Sequence, residues 1–258
     1  MKKMLLVCLF LPVFHFACLA QGTPQPSQLQ PVYVNGKWGY ADRSGRVVIK
    51  PQFDAALPFA GAMAQVGVLD EELPEIDAHP NLKWGYIDAR GRVVVELRYR
   101  MLRGFSEGLA AVAMPNTEKS ERIFQGRGGN LLNVKWGYVD MSGREVIPVQ
   151  FFGAGDFSEG LAHVNVGKGS KSICGRPSNY GYIDKTGAFV IKPQFARASA
   201  FQNGRARVSI GQTRYLGRCV CCAPRFYGKH GSVDRSGTFV ADKGQADIPE
   251  DEFEGWEN

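Results

Sequence analysis

Residues 135–164 read KWGYVDMSGREVIPVQFFGAGDFSEGLAHV, and most of this stretch recurs along the chain. Copies of its opening begin at Lys37 and Lys83, a fourth begins at Asn179, and a more divergent fifth begins at Lys229. A spacing of roughly 45 to 50 residues between copies predicts a repeat architecture. We therefore expect repeated units rather than one irregular domain.

Each copy carries the same residue types at the same offsets. The opening aromatic residues are Trp38, Trp84, Trp136 and Tyr180. The aspartates four residues later are Asp42, Asp88, Asp140, Asp184 and, in the fifth copy, Asp234. The glycines three residues after them are Gly45, Gly91, Gly143, Gly187 and Gly237. The later aromatic residues are Phe59, Phe105, Phe157 and Phe201. We expect the rings to pack between units and the aspartates to cap turns; a carbohydrate-binding ladder or a metal array is the alternative.

The pattern of each copy predicts three short strands. The first is the Trp-Gly-Tyr segment, which ends in an Asp-x-x-Gly turn because aspartate accepts local backbone hydrogen bonds and glycine adopts positive φ. The second is a β-branched run such as Val47–Ile49, and proline marks its end in three copies. The third is a segment such as Leu109–Val112. We therefore predict an all-β fold, a tandem repeat array of three-stranded antiparallel units.

The phase of the repeat leaves two arrangements open. Residues 31–36 lead into the first copy as a closing strand leads into a later one, and the fifth copy ends before its own closing strand. The first strand would then complete the last unit in a closed, propeller-like ring. We favour an open superhelical array, because the linkers differ in length and an eroded last copy is typical of a capping repeat.

These motifs resemble those of the WG-repeat proteins, whose units read close to Lys-Trp-Gly-Tyr-Ile-Asp-x-x-Gly-x-Val-Val-Ile-x-Pro-x-Phe, then Phe-Ser-Glu-Gly-Leu-Ala-x-Val. Residues 135–150 and 157–164 match this pattern closely, as do 83–95 and 105–112. The second copy departs from it at Glu96-Leu97-Arg98, and the fifth lacks the closing segment. The resemblance implies a bacterial β-rich repeat domain. It does not imply an enzyme activity, since the family has no catalytic motif to carry over.

The two ends of the chain differ in composition from the repeats. Residues 1–20 combine two lysines with an apolar stretch and a small residue, Ala20, which predicts a cleaved signal peptide. Residues 21–31 are rich in proline and glutamine and predict a flexible linker. The repeat domain then covers residues 32–241, with units starting near 37, 83, 135, 179 and 229, and an acidic disordered tail covers 242–258.

The signal peptide predicts a periplasmic or secreted protein with no transmembrane segment after cleavage. Lipoprotein anchoring through Cys18 is the less favoured reading, because residues 15–17 form a poor lipobox. Removal of Lys2 and Lys3 lowers the formal charge by two, from +6 to +4. Nucleic acid is not an expected partner of an exported chain, so we expect a protein or another envelope component.

Four cysteines remain after the predicted cleavage. Cys174 lies between the third and fourth copies, and Cys219, Cys221 and Cys222 lie between the fourth and fifth. An even count in an exported chain favours disulfides, and neighbouring repeats place equivalent loops side by side. We expect Cys174 to bond one of the other three. A zinc site and a redox-active pair remain alternatives, and the connectivity stays open.

No segment predicts catalysis or a cofactor. Residues 104–108 fit the Gly-x-Ser-x-Gly nucleophile pattern, but they lie within the Phe-Ser-Glu-Gly turn of the repeat. The histidines lack the i, i+4 spacing of a zinc site. We therefore predict a protein that is not an enzyme and holds no metal, apart from the alternative chemistry of the cysteines.

Four long inserts fall at one point of the repeat: residues 67–82, 115–134, 167–179 and 211–228. Inserts at one phase map to loops on one edge, which is commonly the binding face. The basic residues that we expect to bind there are Arg122, Arg127, Lys171, Arg214 and Arg225. The sequence thus predicts an exported, non-enzymatic scaffold for binding at the bacterial envelope, with a thiol-redox or metal-binding protein as the alternative.

Overall fold

The computed structural model describes residues 28–70, 81–116, 134–167, 179–214 and 225–242. The predicted signal peptide, most of the linker, the four cysteines and nearly all of the tail lie outside these ranges. The described residues form nineteen strands and no α-helix. The strands are β1 (Gln30–Val34), β2 (Lys37–Ala41), β3 (Val47–Phe53), β4 (Ala55–Ala56), β5 (Met63–Leu69), β6 (Leu82–Asp88), β7 (Val93–Tyr99), β8 (Met101–Leu102), β9 (Leu109–Pro115), β10 (Val134–Asp140), β11 (Glu145–Phe151), β12 (Gly153–Ala154), β13 (Ala162–Asn165), β14 (Tyr180–Ile183), β15 (Phe189–Phe195), β16 (Arg197–Ala198), β17 (Arg205–Arg214), β18 (Arg225–Asp234) and β19 (Phe239–Ala241).

The strands form five small antiparallel sheets. Sheet 1 has the order β1-β2-β3, sheet 2 β4-β5-β6-β7, sheet 3 β8-β9-β10-β11, sheet 4 β12-β13-β14-β15 and sheet 5 β16-β17-β18-β19. The predicted all-β array of small antiparallel sheets is confirmed. The three-stranded unit, however, describes sheet 1 only. The other four sheets carry an additional two-residue strand, which is too short to show a periodic pattern in sequence.

Sheets 2 to 5 each combine strands from two successive copies. Strand β5 closes the first copy in sequence, but it pairs with β6 of the second copy, with Val66 opposite Gly85. The sequence suggested that the three strands of one copy form one unit. In the structure, the closing strand of each copy belongs instead to the sheet of the next copy. The reason is local, because a strand pairs most readily with the strand that follows it through the next connection. As a consequence, hydrogen bonds join every copy to the next.

The apolar cores lie between successive sheets, which stack face to face. In the first core, Tyr40, Ile49 and Phe53 of sheet 1 pack with Val66 and Ile87 of sheet 2. Equivalent positions fill the other three cores. Their members are Tyr86, Val95, Tyr99, Ala110, Val112 and Val139; then Tyr138, Ile147, Phe151, Ala162, Val164 and Ile183; then Tyr182, Ile191, Phe195, Ala206, Val208 and Val233. Stacking of neighbours thus supplies the burial that a single sheet lacks.

The tyrosine of each Trp-Gly-Tyr segment is buried and hydrogen-bonded. The Tyr138 hydroxyl donates to the Gly155 carbonyl at 2.7 Å, and the ring centroids of Tyr138 and Phe157 are 4.9 Å apart. Tyr40, Tyr86 and Tyr182 donate to the equivalent carbonyls of Leu57, Arg103 and Ser199. Burial raises the pKa of all four phenols, that of Tyr86 to about 12. A buried hydroxyl needs such a partner, which explains why tyrosine recurs here.

The stack is open within the described residues. Strand β1 pairs with β2, and the last sheet ends at β19, so no sheet joins the two ends of the array. The outward face of sheet 5 is polar where inner sheets are apolar. Ser232 stands at the position of the buried tyrosines, and Arg207 donates to both carboxylate oxygens of Asp242 at 3.1 and 2.8 Å. The divergent fifth copy is therefore a polar cap.

Candidate functional site

The two ends of the sheets differ in construction. At one end, here called the turn end, lie the Asp-x-x-Gly and Phe-Ser-Glu-Gly turns. At the opposite end, the loop end, the chain passes from β5 to β6, from β9 to β10, from β13 to β14 and from β17 to β18. These four connections contain the inserts found in the sequence. In sheet 1 the same connection is a two-residue turn, Asn35-Gly36, with both residues at positive φ.

The aspartates organise the turn end. One carboxylate oxygen of Asp140 accepts hydrogen bonds from the amides of Ser142 and Arg144, at 2.9 and 3.1 Å, and from the Ser142 hydroxyl. The Ser142 hydroxyl bond is the main reason that the pKa of Asp140 falls to about 2. Asp42, Asp88, Asp184 and Asp234 accept the equivalent amide bonds, and their pKa values are lowered as well. All five aspartates thus stabilise turns.

The turn glycines also lie against the preceding sheet. Gly143 has a φ of +84°, and a Cβ atom added to it would overlap the carbonyl oxygen of Val94. Gly91 and Gly187 take the same place against Ile49 and Ile147, with closest approaches of 3.0 and 3.3 Å for an added Cβ. Glycine is therefore required at these recurring positions for two reasons: the turn needs a positive φ, and the neighbouring sheet leaves little space for a side chain.

A second set of hydrogen bonds links the Phe-Ser-Glu-Gly turns. The Ser106 hydroxyl donates to the Phe157 carbonyl at 2.6 Å, and the Glu107 carboxylate accepts from the Gly160 amide at 3.0 Å. Ser158 and Glu159 repeat both bonds with Phe201 and Gly204. The turn end is thereby tied from the second copy to the fourth.

The same contacts explain the Gly-x-Ser-x-Gly match in the sequence. Residues 104–108 lie between β8 and β9, so the strand-to-helix turn of a nucleophile elbow is absent at this place. Lys185 adds a further link, since its ammonium group donates to the carbonyl of Glu107 at 2.9 Å and lies 3.1 Å from its carboxylate. Ser106 and Glu107 therefore hold successive copies together.

The loop end is polar where it meets the sheets. All five buried polar or charged residues in the described part of the chain lie at this level: Asp70, Asn81, Arg100, Asn165 and Ser209. Asp70 forms an ion pair with Lys83 at 2.9 Å. Buried polar groups are costly unless they are hydrogen-bonded or paired. Their concentration at one end therefore indicates that side-chain hydrogen bonds and ion pairs fix the structure of this end.

Hydrogen bonds at the loop end hold the bases of the inserts. The side-chain oxygen of Asn165 accepts from the amides of Gly167 and Asn179, at 2.9 and 3.1 Å, and so joins the two sides of the third insert. Lys83, at the start of β6, does the same for the first insert through Asp70. The chain therefore leaves and enters the stack at defined positions.

The lysine that opens the Lys-Trp-Gly-Tyr motif places a cation at the loop end in three sheets. Lys37 binds Asp54 at 2.6 Å, Lys83 binds Asp70, and the Lys135 nitrogen lies 3.0 Å from the ring centroid of Phe152. The row follows the stack at this end of the sheets. The lysine of the Lys-Trp-Gly-Tyr motif thus belongs to the loop end, whereas its tyrosine belongs to the core.

The residues singled out in the sequence fall into separate groups. Arg214 and Arg225 lie opposite each other in β17 and β18. The other binding and disulfide candidates lie outside the described residues: Arg122, Arg127, Lys171, Cys174, Cys219, Cys221 and Cys222. The structure therefore places the connections that contain them at the loop end and does not test their contacts.

The repeated aromatic residues are packed to different degrees. Trp136, Phe157 and Phe201 are buried. The half-buried members are Trp38, Trp84, Tyr180, Phe59 and Phe105. Trp84 contacts the backbone of Gly67, where an added Cβ would lie 3.4 Å from the indole ring. The indoles thus pack on the sheets without all being sealed within them.

Sequence reasoning missed the buried polar residues of the loop end and His163. Asp70, Asn81 and Asn165 lie at the borders of inserts that share no pattern, so nothing in the repeat marked them. His163 occupies the position of Gln65 in the first copy and Arg207 in the fourth. The variability of this position hid the fact that its ring packs over Gly155.

Two further findings concern other classes of site. In the described ranges, no three His, Cys, Asp or Glu side chains converge as metal ligands. In the same ranges, no helix has the length and apolarity to cross a membrane.

Comparison with known proteins gives one match. A family model described as WG containing repeat matches residues 38–68, 84–114, 136–169 and 180–213. Searches of curated proteins and of solved structures returned no significant match. The four matched ranges follow the copies identified above and cover just over half of the chain, so this chain belongs to the WG containing repeat family.

Proposed function

We propose that the chain is an exported, non-enzymatic scaffold that binds a protein or another component of the bacterial envelope through its loop end. The observation that carries this proposal is the contrast between the two ends of the stack. All four long inserts leave at the loop end, while hydrogen bonds between copies tie the turn end. Variable loops on a rigid frame are the common arrangement of binding proteins.

The charge at the loop end supports an acidic partner surface. Two of the proposed binding residues, Arg214 and Arg225, lie in the strands of the last hairpin, whereas Lys37 and Lys83 are already paired with Asp54 and Asp70. The mature chain would carry a net charge of +4, as worked out above from +6. Positive charge steers association with anionic groups, such as peptide carboxylates or lipopolysaccharide phosphates.

Photo-crosslinking in cells tests the proposal. A photoreactive amino acid replaces Leu69 at the loop end and, in a matched variant, Val93 at the turn end; the two side chains are 55% and 51% exposed. We expect crosslinked partners from position 69 and few from position 93. Equal yields from both positions, or crosslinks from position 93 alone, would contradict binding at the loop end.

The first sheet offers a second control. The part of each insert beyond the paired strands, residues 71–80, 117–133, 168–178 and 215–224, is replaced in turn by Asn-Gly, the two-residue connection that sheet 1 already uses. Because the strands keep their register, we expect an unchanged melting temperature and the loss of crosslinks for the inserts that bind. A variant that keeps all its crosslinks after every replacement would overturn the proposal. Cell fractionation, with a periplasmic marker, tests the predicted export.

The cysteines support a disulfide link between loops. Cys174 lies in the connection from β13 to β14, and the other three lie in the connection from β17 to β18, so both segments leave the loop end of neighbouring sheets. We expect a bond from Cys174 to one of Cys219, Cys221 and Cys222. Peptide mapping without reduction checks it, and a free Cys174 thiol in periplasmic protein would contradict it. Thiol-redox or metal chemistry at these residues stays a prediction of the sequence.

A further inference from the structure

Within the described residues, the first sheet lacks a strand that the other four sheets have. In sheets 2 to 5, the two-residue strands β4, β8, β12 and β16 cover the outer side of the closing strand. In sheet 1 the equivalent of the closing strand is β1, and among the described residues nothing pairs with its outer side. Strand β1 is therefore an open sheet edge.

The covered sheets define which backbone groups the missing strand would use. In sheet 2, the carbonyls of Gln65 and Gly67 accept hydrogen bonds from the amides of Leu57 and Asp54, both at 2.9 Å. Sheets 3, 4 and 5 repeat the two bonds at 2.8 to 2.9 Å. Since Tyr86 lies opposite Gln65 and Tyr40 lies opposite Pro31, the matching acceptors in sheet 1 are the carbonyls of residues 31 and 33.

The geometry of β1 directs these groups away from β2. The turn Asn35-Gly36 joins Val34 to Lys37, and the pair that flanks a two-residue turn exchanges hydrogen bonds. Backbone direction alternates along a strand, so Pro31 and Tyr33 face outward. Proline fits at position 31 because no amide is needed there toward β2.

The side chains of β1 favour pairing with a strand of another protein over pairing with a closely packed strand such as β4, β8, β12 or β16. The position of Tyr33 is occupied in sheets 2 to 5 by small residues, namely Gly67, Ala113, Asn165 and Ser209. Tyr33 is 59% exposed, and its ring lies 5.1 Å from that of Trp38. An exposed tyrosine that packs on a half-buried tryptophan, beside backbone carbonyls with no partner in the described residues, is typical of a surface that binds a partner.

We propose that the outer side of β1 binds an extended peptide segment of another protein as a fourth strand. The internal strands indicate the chemistry of this segment. Their second residue is Ala56, Leu102, Ala154 or Ala198, and it packs into the core beside the sheet. The bound segment carries a small apolar residue at this place, where it covers Val32 and Val34, and its preceding residue contacts Tyr33. The site uses the backbone edge of β1, whose last residues reach the loop end, but it involves none of the four inserts and so does not depend on the proposed function.

A peptide taken from the chain itself tests the site. The probe is an N-acetylated, C-amidated Phe-Asp-Ala-Ala-Leu-Pro, the sequence of residues 53–58, added to the ¹⁵N-labelled chain from residue 21 onward. Two backbone hydrogen bonds and one small apolar contact predict a dissociation constant on the order of 1 mM. We expect shifts at the amides of Tyr33 and Val34 and about tenfold slower hydrogen exchange at Tyr33.

The control peptide carries N-methyl-leucine and so lacks the donor for the carbonyl of residue 31. We expect it to leave the Tyr33 amide unchanged. Equal shifts with both peptides, or none with either at roughly ten times the expected dissociation constant, would overturn the proposal. A Tyr33 amide already protected in the free chain would also overturn it. If that protection is lost on dilution, the edge of β1 pairs with a second copy of the chain. If it is lost on deletion of residues 21–27, the edge pairs with that segment of the same chain.

Discussion

At the scale of single residues, the tyrosine of the Trp-Gly-Tyr segment is required for its hydroxyl group as well as for its ring. Tyr138 and its three equivalents are buried, and each hydroxyl satisfies a carbonyl 17 residues further along the chain. The spacing of the aspartates and glycines predicted turns, and the turns exist. The partner of the tyrosine was not predictable, because the carbonyl belongs to Leu57, Arg103, Gly155 or Ser199, which share no side-chain type.

Replacement of Tyr138 by phenylalanine tests this contact. The change removes the bond to Gly155 and leaves its carbonyl buried, so we expect a loss of about 1 to 3 kcal/mol in the free energy of unfolding. Urea denaturation measures it. Tyr33→Phe serves as the control and should change stability by less than about 0.5 kcal/mol, because Tyr33 is exposed. Similar losses in both variants would contradict the structural role of the hydroxyl.

His163 makes stability depend on pH. Its Nδ1 is buried without a hydrogen-bond partner in the described residues, and its ring lies near Tyr180, Tyr182, Arg103 and Asp156. Burial, and secondarily the charge of Arg103, lower its pKa below the ordinary 6.5, while Asp156 opposes them. The unfolded chain therefore binds the proton more tightly.

Because of this difference in proton binding, we expect stability to fall as pH drops below 6.5 and to level off below the pKa of the folded state. In His163→Gln, which installs the residue of the first copy, this part of the pH dependence should disappear. Urea unfolding of both proteins between pH 7 and about 4.5 checks the expectation. An unchanged pH profile in the variant would contradict it.

At the scale of strands and turns, contacts between copies carry the architecture. Strand identity was predictable from the β-branched runs, but the partner of each closing strand was not, since register depends on the next copy. The two-residue strands escaped prediction for the same reason. Residues such as Ala55-Ala56 have no strand pattern of their own and are extended because β5 offers them free carbonyls.

A comparison of two turn glycines distinguishes the energetic cost of the turn conformation from the cost of the contact between sheets. Gly45 and Gly143 have φ values of +82° and +84°, but only Gly143 has a neighbour, the backbone of Val94. We expect Gly45→Ala to cost about 1 to 2 kcal/mol for the left-handed backbone. Gly143→Ala should cost about 2 kcal/mol more, because the backbone of the preceding sheet must move.

Urea denaturation of the two alanine variants gives the difference directly. The slope with denaturant should be the same in both proteins, since neither change alters the surface exposed on unfolding. Equal costs for the two substitutions would show that the stacking contact at Gly143 contributes nothing.

At the scale of the whole molecule, the two outer faces of the stack differ from its interior. The fifth copy ends the array with Ser232, Arg207 and Asp242 in place of an apolar face. The sequence showed this copy as eroded and suggested a cap. The sequence also aligns Ser232 with the tyrosines of the other copies, but only the structure showed that this position lies on the outward face of the last sheet, opposite Arg207.

Ser232→Tyr tests the cap. The variant restores the interior residue on a face that no sheet of the described residues covers, so it exposes an aromatic surface beside Val240. We expect self-association that increases with concentration, measured by sedimentation velocity, while the native chain sediments independently of concentration over the same range. Ser44→Tyr, in an exposed turn, controls for the added ring. Association of both variants alike would count against a specific role of the terminal face.

The sequence by itself determined the repeat, its strands and its turns, because these depend on residues within a few positions of one another. Asp140 caps a turn that closes at Gly143, and both are visible at a spacing of three. Tertiary structure decided what joins one copy to the next: the sharing of strands between copies, the hydrogen bonds from Glu107 to Gly160, and the open edge at β1. These features depend on groups in different copies, 53 residues apart in the case of Glu107 and Gly160, and often on backbone groups, which leave no mark on side-chain type.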